Sequence, residues 1–233
     1  MNDVNDVNDV NTPNNPTTPN NESFGTVLRR TRLAAIVRGS DPDAALRTVL
    51  TLAEEGVALV EVSLNTADAL GVLRRAAAEV GPGTVIGAGT VLTEDDVARA
   101  LEAGAGWIVT PACTESVAAS VRAGLPVLAG ALTPTEAVTA VRAGAEAVKL
   151  FPASLGGPAY LKALRDPFPD VPFVPVGGVD LTSAGQYLAN GAVAVGVGSP
   201  LVGDAAHGGD LVALRGRARR FVALCGRDER AEA

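Results

Sequence analysis

From about residue 33 onward, the chain repeats one pattern of apolar and polar positions. An alanine-rich amphipathic segment closes on a glycine, and a short β-branched run follows. The pattern recurs in EEGVALVEV, EAGAGWIVT, RAGLPVLAG, RAGAEAVKL and ANGAVAVGV, with Gly56, Gly104, Gly124, Gly144 and Gly191 at the junctions. A glycine just past a helix takes the left-handed conformation at little cost, so each junction reads as a helix stop followed by a strand. Gly104, Gly124 and Gly144 are spaced 20 residues apart, a plausible strand–helix repeat. The predicted helix starts match the stops. Asp41-Pro42 precedes DAALRTVLTLAEE, Thr93 with Asp96 precedes VARALEA, and Thr133-Pro134-Thr135-Glu136 before AVTAVRA is a capping box with proline at the first helical position. In the first of these helices Leu46, Val49, Leu50 and Ala53 share one apolar face.

The remaining apolar runs predict strands at 33–37, 59–63, 84–88, 107–110, 126–129, 146–151, 172–176 and 193–197. Strands alternating with helices imply parallel pairing, and eight such units in about 200 residues imply an α/β fold of the (β/α)8 TIM-barrel type. An open doubly wound sheet is the alternative. Its dinucleotide fingerprint is missing, because GAGTVL (87–92) and GVGSPL (196–201) both lack the third glycine.

Composition sharpens this picture. A chain of 233 residues that is 47% hydrophobic and 3% aromatic builds its core from Ala, Val and Leu. A net charge of −7 argues against nucleic acid or anionic lipid as partner. No apolar run reaches the roughly 18 residues of a membrane span, and no signal-peptide pattern opens the chain, so a cytoplasmic location is expected. Cys113 and Cys225 form no C-x-x-C pattern and fit a reducing compartment. The threefold NDV repeat and the Asn/Thr/Pro run after it read as a disordered tail over residues 1–21. A single barrel domain is expected over 22–226, with a flexible C-terminus at 227–233.

In such a barrel, chemistry sits where strands end and βα loops begin. The chain has 17 arginines but two lysines, and Lys149 stands inside the apolar strand AEAVKLF. Strand parity turns Ala147, Lys149 and Phe151 inward, and Val148 and Leu150 outward. A lysine in such surroundings has its charged form disfavoured, which makes a nucleophilic amine suited to a Schiff base. A snorkelling or ion-paired lysine fits the same position. Lys162, in PAYLKALR, reads as a solvated helix residue. Glu61, inward with Leu59 and Ser63, is the second charge within a strand. It fits a proton shuttle for imine chemistry, or a buried ion pair with Lys149 or Arg38. The pairs Gly177-Gly178 and Gly198-Ser199 after strands seven and eight can cradle a phosphate with backbone N–H groups. The lone His207, in DAAHGGD, reads as a surface residue, and no histidine-rich metal site can be assembled, so no metal is expected.

The ordered series AIVRG, VEVSLNT, IGAGTVL, IVTPA, VKLFPAS, GPAYLKAL, PVGGV and GVGSPL, from about Ala35 to Leu224, resembles the class I aldolases that act on 2-keto-3-deoxy-6-phosphogluconate or its galactonate epimer. The resemblance implies a (β/α)8 barrel and a lyase that releases pyruvate and glyceraldehyde 3-phosphate without an external cofactor. Lys149 would form the imine and Glu61 would be the acid/base. Arg38, Thr90 and Pro111 would line the pyruvoyl part, Phe151 would pack beside the imine, and Gly177, Gly178, Gly198 and Ser199 would hold the phosphate. It also implies a homotrimer.

Two further substrate-binding positions, Asn65 and Val176, depart from the gluconate-type pattern, which carries arginine in EVTLRT and threonine in PTGG. EVSLN and VGG are closer to the galactonate-type EIPLN and VGG, whereas VPFVPVGG and LRDPFPD also resemble members acting on gluconate or 4-hydroxy-2-oxoglutarate. The substrate expectation is therefore either epimer, with a lean to galactonate, and 4-hydroxy-2-oxoglutarate as a further candidate. A phosphosugar isomerase or epimerase, or a silent phosphosugar-binding barrel, is the rival reading.

Overall fold

The junction glycines end helices as the pattern predicts: Gly56, Gly104, Gly124, Gly144 and Gly191 have φ between 72° and 90°. The starts hold as well. The Asp41 carboxylate accepts from the Ala44 N–H, and Thr93 with Asp96 and Thr133 with Glu136 form reciprocal capping boxes. The computed structural model describes residues 22–226, so the tail expected at 1–21 and the C-terminal stretch 227–233 lie outside the described residues.

The elements run α1 (Phe24–Thr31), β1 (Leu33–Val37), α2 (Pro42–Glu54), β2 (Leu59–Ser63), α3 (Ala69–Glu79), β3 (Val85–Gly89), α4 (Glu94–Glu102) and β4 (Ile108–Val109). They continue with α5 (Glu115–Arg122), β5 (Val127–Ala131), α6 (Pro134–Arg142), β6 (Ala147–Leu150), α7 (Gly157–Arg165), β7 (Phe173–Pro175), α8 (Leu181–Ala189), β8 (Val195–Val197), α9 (Ser199–Val202) and α10 (Leu211–Cys225). All pairings are parallel, in the order β7-β6-β5-β4-β3-β2-β1-β8. The ring closes between β7 and β8 through a bridge of Val176 with Gly196 and the Val193 N–H donating to the Phe173 carbonyl at 3.0 Å. This is a (β/α)8 barrel.

Side-chain parity divides the core in two. Val148, Leu150 and their equivalents pack outward against the helices. A smaller inner cluster contains Ala34, Leu59, Trp107, Leu128, Ala147 and Val174. Trp107 is fully buried, and it fits because Gly87 beside it has no side chain: a Cβ there would collide with the indole.

The helix α1 is the element the hydrophobic pattern did not reveal. Its Phe24, Val27 and Leu28 join the inner cluster, with the Phe24 and Trp107 ring centroids 5.3 Å apart. It thereby covers one end of the barrel interior, and the ends of the strands at the other end are left to the site. No described helix is long and apolar enough to cross a membrane.

Candidate active site

Lys149 on β6 and Glu61 on β2 reach from opposite parts of the barrel wall into one cavity of about 370 Å³ at the C-terminal ends of the strands. That volume lies within the range of small-molecule sites. Both side chains are deeply buried, Lys149 6% and Glu61 3% exposed. Glycines at inward positions make the room. A Cβ on Gly89 would fall on the Glu61 carboxylate, and one on Gly130, the register partner of Lys149 on β5, would fall on the Pro111–Ala112 backbone. That backbone is fixed over Gly130 by Thr110, whose hydroxyl donates to the Ala112 carbonyl at 2.7 Å and accepts from the Gly130 N–H at 3.1 Å. The Lys149 Nζ stands 5.0 Å from the centroid of the Phe151 ring.

The electrostatics of the pair follow from burial. Loss of water disfavours the ammonium of Lys149 and lowers its pKa; Glu61 opposes that shift, and Arg38 adds to it. The same loss raises the pKa of Glu61 against the opposing pull of Lys149 and Arg38. Both shifts run toward the uncharged forms. Such opposed shifts within a cleft are typical of acid–base sites.

Around this pair the cavity wall gathers Arg38, Thr90, Pro111, Phe151 and Val176, each on a different strand end. Thr90 has φ of 62°, an uncommon conformation for a β-branched residue, and its hydroxyl lies 2.8 Å from the buried Ser63 hydroxyl. Asn65 does not join them. The Leu64 N–H donates to the Gly89 carbonyl and the Thr66 N–H to the Ser63 carbonyl, and this turn leaves Asn65 exposed and outside the cavity wall.

The other side of the cavity is rich in glycine. Gly177, Gly178, Gly198 and Ser199 all line it. Among the described residues, none of their N–H groups is taken up by the backbone hydrogen bonds of the loops. Gly177 and Gly178 have φ of 91° and 77°, and a Cβ on Gly177 would press on the Phe151 ring. His207, read from sequence as a surface residue, is exposed and also lines this cavity. Its partner is Ser40, 167 positions away, a pairing that no local sequence signal carries. Among the described residues no three His, Cys, Asp or Glu side chains cluster as metal ligands would.

Comparison with known proteins identifies the family. The family described as "Aldolase: KDPG and KHG aldolase" matches residues 25–214. A 2-dehydro-3-deoxy-phosphogluconate aldolase of Pseudomonas aeruginosa is 39% identical over 166 residues, 70% of this chain and 75% of that protein. A 2-dehydro-3-deoxy-6-phosphogalactonate aldolase of Escherichia coli is 39% identical over 171 residues, 72% of this chain and 83% of that protein. A KDPG aldolase structure from Legionella pneumophila, with pyruvate captured as a covalent carbinolamine, superposes with a TM-score of 0.73 at 28% identity, covering 87% of this chain and 96% of that one. The chain belongs to the KDPG and KHG aldolase family.

Proposed function

We propose that this chain is a class I aldolase, an aldehyde-lyase, that cleaves 2-keto-3-deoxy-6-phosphogluconate, its galactonate epimer, or both, to pyruvate and glyceraldehyde 3-phosphate. The observation that carries the reading is the burial of Lys149 and Glu61 in one cavity, where lost hydration favours a neutral amine and a neutral acid.

Those are the protonation states with which imine chemistry starts. The Lys149 amine adds to the C2 ketone, and Glu61 gives a proton to the carbinolamine hydroxyl, which leaves as water. The resulting iminium is the electron sink. The Glu61 carboxylate then takes the proton of the C4 hydroxyl, the C4 oxygen becomes the aldehyde carbonyl, and the C3–C4 electron pair enters the iminium to give an enamine. Glyceraldehyde 3-phosphate departs, Glu61 returns its proton to C3, and water adds at C2 to release pyruvate and the free amine. The carbinolamine captured with pyruvate in the Legionella relative supports the same covalent step on Lys149.

Arg38 and Thr90 would anchor the carboxylate end of the substrate, with Pro111 and Phe151 enclosing the imine. The N–H groups of Gly177, Gly178, Gly198 and Ser199 would hold the phosphate. Assembly as a homotrimer is part of the proposal, and the exposed Leu92, Leu101 and Val121 offer apolar surface that such assembly would cover. The free thiols of Cys113 and Cys225 support a reducing compartment, the cytoplasm. Pyruvate release from each pure epimer tests the activity: turnover of at least one is expected, and release from neither would refute the reading.

A further inference from the structure

The chain has one histidine, and the structure holds it in place. His207 ends a 3-10 turn, Ala205–His207, whose Ala205 and Ala206 are fully buried and whose His207 N–H donates to the Asp204 carbonyl at 2.9 Å. The loop after β1 locks onto that turn. Gly39 packs so tightly on the Ala206 carbonyl that a Cβ could not be added, and the next residue, Ser40, reaches the imidazole. The Ser40 backbone N–H donates to His207 Nδ1 at 3.3 Å, and the Ser40 hydroxyl lies 2.9 Å from the same atom. A backbone N–H can only donate, so Nδ1 is the acceptor and the neutral ring carries its hydrogen on Nε2. With Nδ1 engaged, Nε2–H is the polar group that His207 has left to offer a ligand in the cavity it lines.

The part of the cavity concerned is the β8 side. His207 follows α9, and Ser199, Gly203 and His207 line the same wall, while β1, which leads to Ser40, is the neighbour of β8. This is the side of Gly198 and Ser199, away from the imine-forming lysine on β6. Resting on the aldolase reading above, we propose that His207, oriented by Ser40, is a specificity-determining residue that donates its Nε2–H to the phosphate end of the bound sugar acid.

Asparagine and glutamine separate the two ring nitrogens. His207→Asn keeps a polar atom near the Nδ1 position, where its amide oxygen can accept from Ser40, but does not reach the Nε2 position. His207→Gln places an amide N–H near Nε2. The test measures kcat and KM of wild type and both variants on the phosphorylated sugar acid and on its dephosphorylated form. His207→Asn should lower the preference for the phosphorylated substrate about tenfold or more, through KM, the usual size of one hydrogen bond to a charged group. His207→Gln should restore most of it. A loss in His207→Asn that is equal on both substrates, or a preference that is unchanged, overturns the proposal. If His207→Asn fails to fold, His207→Ala, which also removes the Nε2–H donor, takes its place: a lowered preference for the phosphorylated substrate that His207→Gln restores supports the donor role, and an unchanged preference contradicts it. Failure of the aldolase reading itself would look different, since wild type would then release pyruvate from neither substrate.

Discussion

Gly89→Ala displaces the carboxylate proposed as proton shuttle without substituting Glu61 itself. Gly89 lies on β3 with an ordinary strand backbone, so alanine meets no conformational penalty, but its methyl would fall on the Glu61 carboxylate. The neighbour that must yield is a side-chain tip rather than backbone, so the barrel should persist at an overpacking cost of about 1–3 kcal/mol. The carboxylate has to retreat by about 1 Å or more to restore van der Waals contact, and a misplacement of about 1 Å can cost on the order of 10²-fold in rate. We therefore expect kcat for pyruvate release to fall by about 10²-fold or more, approaching the roughly 10²- to 10⁴-fold expected for Glu61→Gln. Steady-state turnover, with circular dichroism to verify folding, is the assay. Gly83→Ala, where an added Cβ meets nothing within 4 Å, is the control and should leave turnover unchanged. A folded Gly89→Ala protein with turnover within about twofold of wild type would refute the assignment of Glu61 as proton shuttle.

Val176 is buried, lines the cavity and offers no hydrogen-bonding group, so the galactonate epimer should be cleaved at least comparably to gluconate, and Val176→Thr should shift the kcat/KM ratio toward gluconate; an unmoved ratio would remove this residue from epimer choice. Phe24→Ala empties a site 1% exposed at the base of the barrel and should lower unfolding free energy by about 3–5 kcal/mol in chemical denaturation, whereas a loss below about 1 kcal/mol would mean α1 is not part of the cooperative core. Arg219 and Arg215 hold the Glu55 carboxyl at about 2, below its ordinary 4.5, so its stabilisation is present above pH 4.5 and is lost as pH falls toward 2. Glu55→Gln should therefore lower the melting temperature at pH 6 and change it little at pH 2, and an equal effect at both would show that these ion pairs do not stabilise the fold.

The parts of this account that sequence carried are those with a local or periodic cause. Left-handed glycines, capping boxes and the parity of strand residues place the eight strands, and a charge at an inward position marks Lys149 and Glu61 without knowledge of any contact. What sequence did not carry depends on chain segments far apart. α1 is a short amphipathic helix whose partner, Trp107, lies just before β4, and His207 gains its role from Ser40 on the loop after β1. Asn65 matches the family motif, yet it sits in the turn closed by the Thr66 N–H donating to the Ser63 carbonyl, where it is exposed and is not among the residues lining the cavity. Gly89 stands in sequence as one of the glycines of GAGTVL, without a dinucleotide fingerprint; its use as space for a carboxylate needs the register of β2 against β3.

The central claim is the covalent role of Lys149, and borohydride reduction in the presence of pyruvate tests it most directly. Intact-mass measurement and peptide mapping should show one reduced pyruvate adduct per chain, located on Lys149 and absent from Lys162, the only other lysine. Omitting pyruvate should abolish it, and Lys149→Arg should neither form the adduct nor turn over. An unmodified chain, or an adduct confined to Lys162, would contradict the imine mechanism.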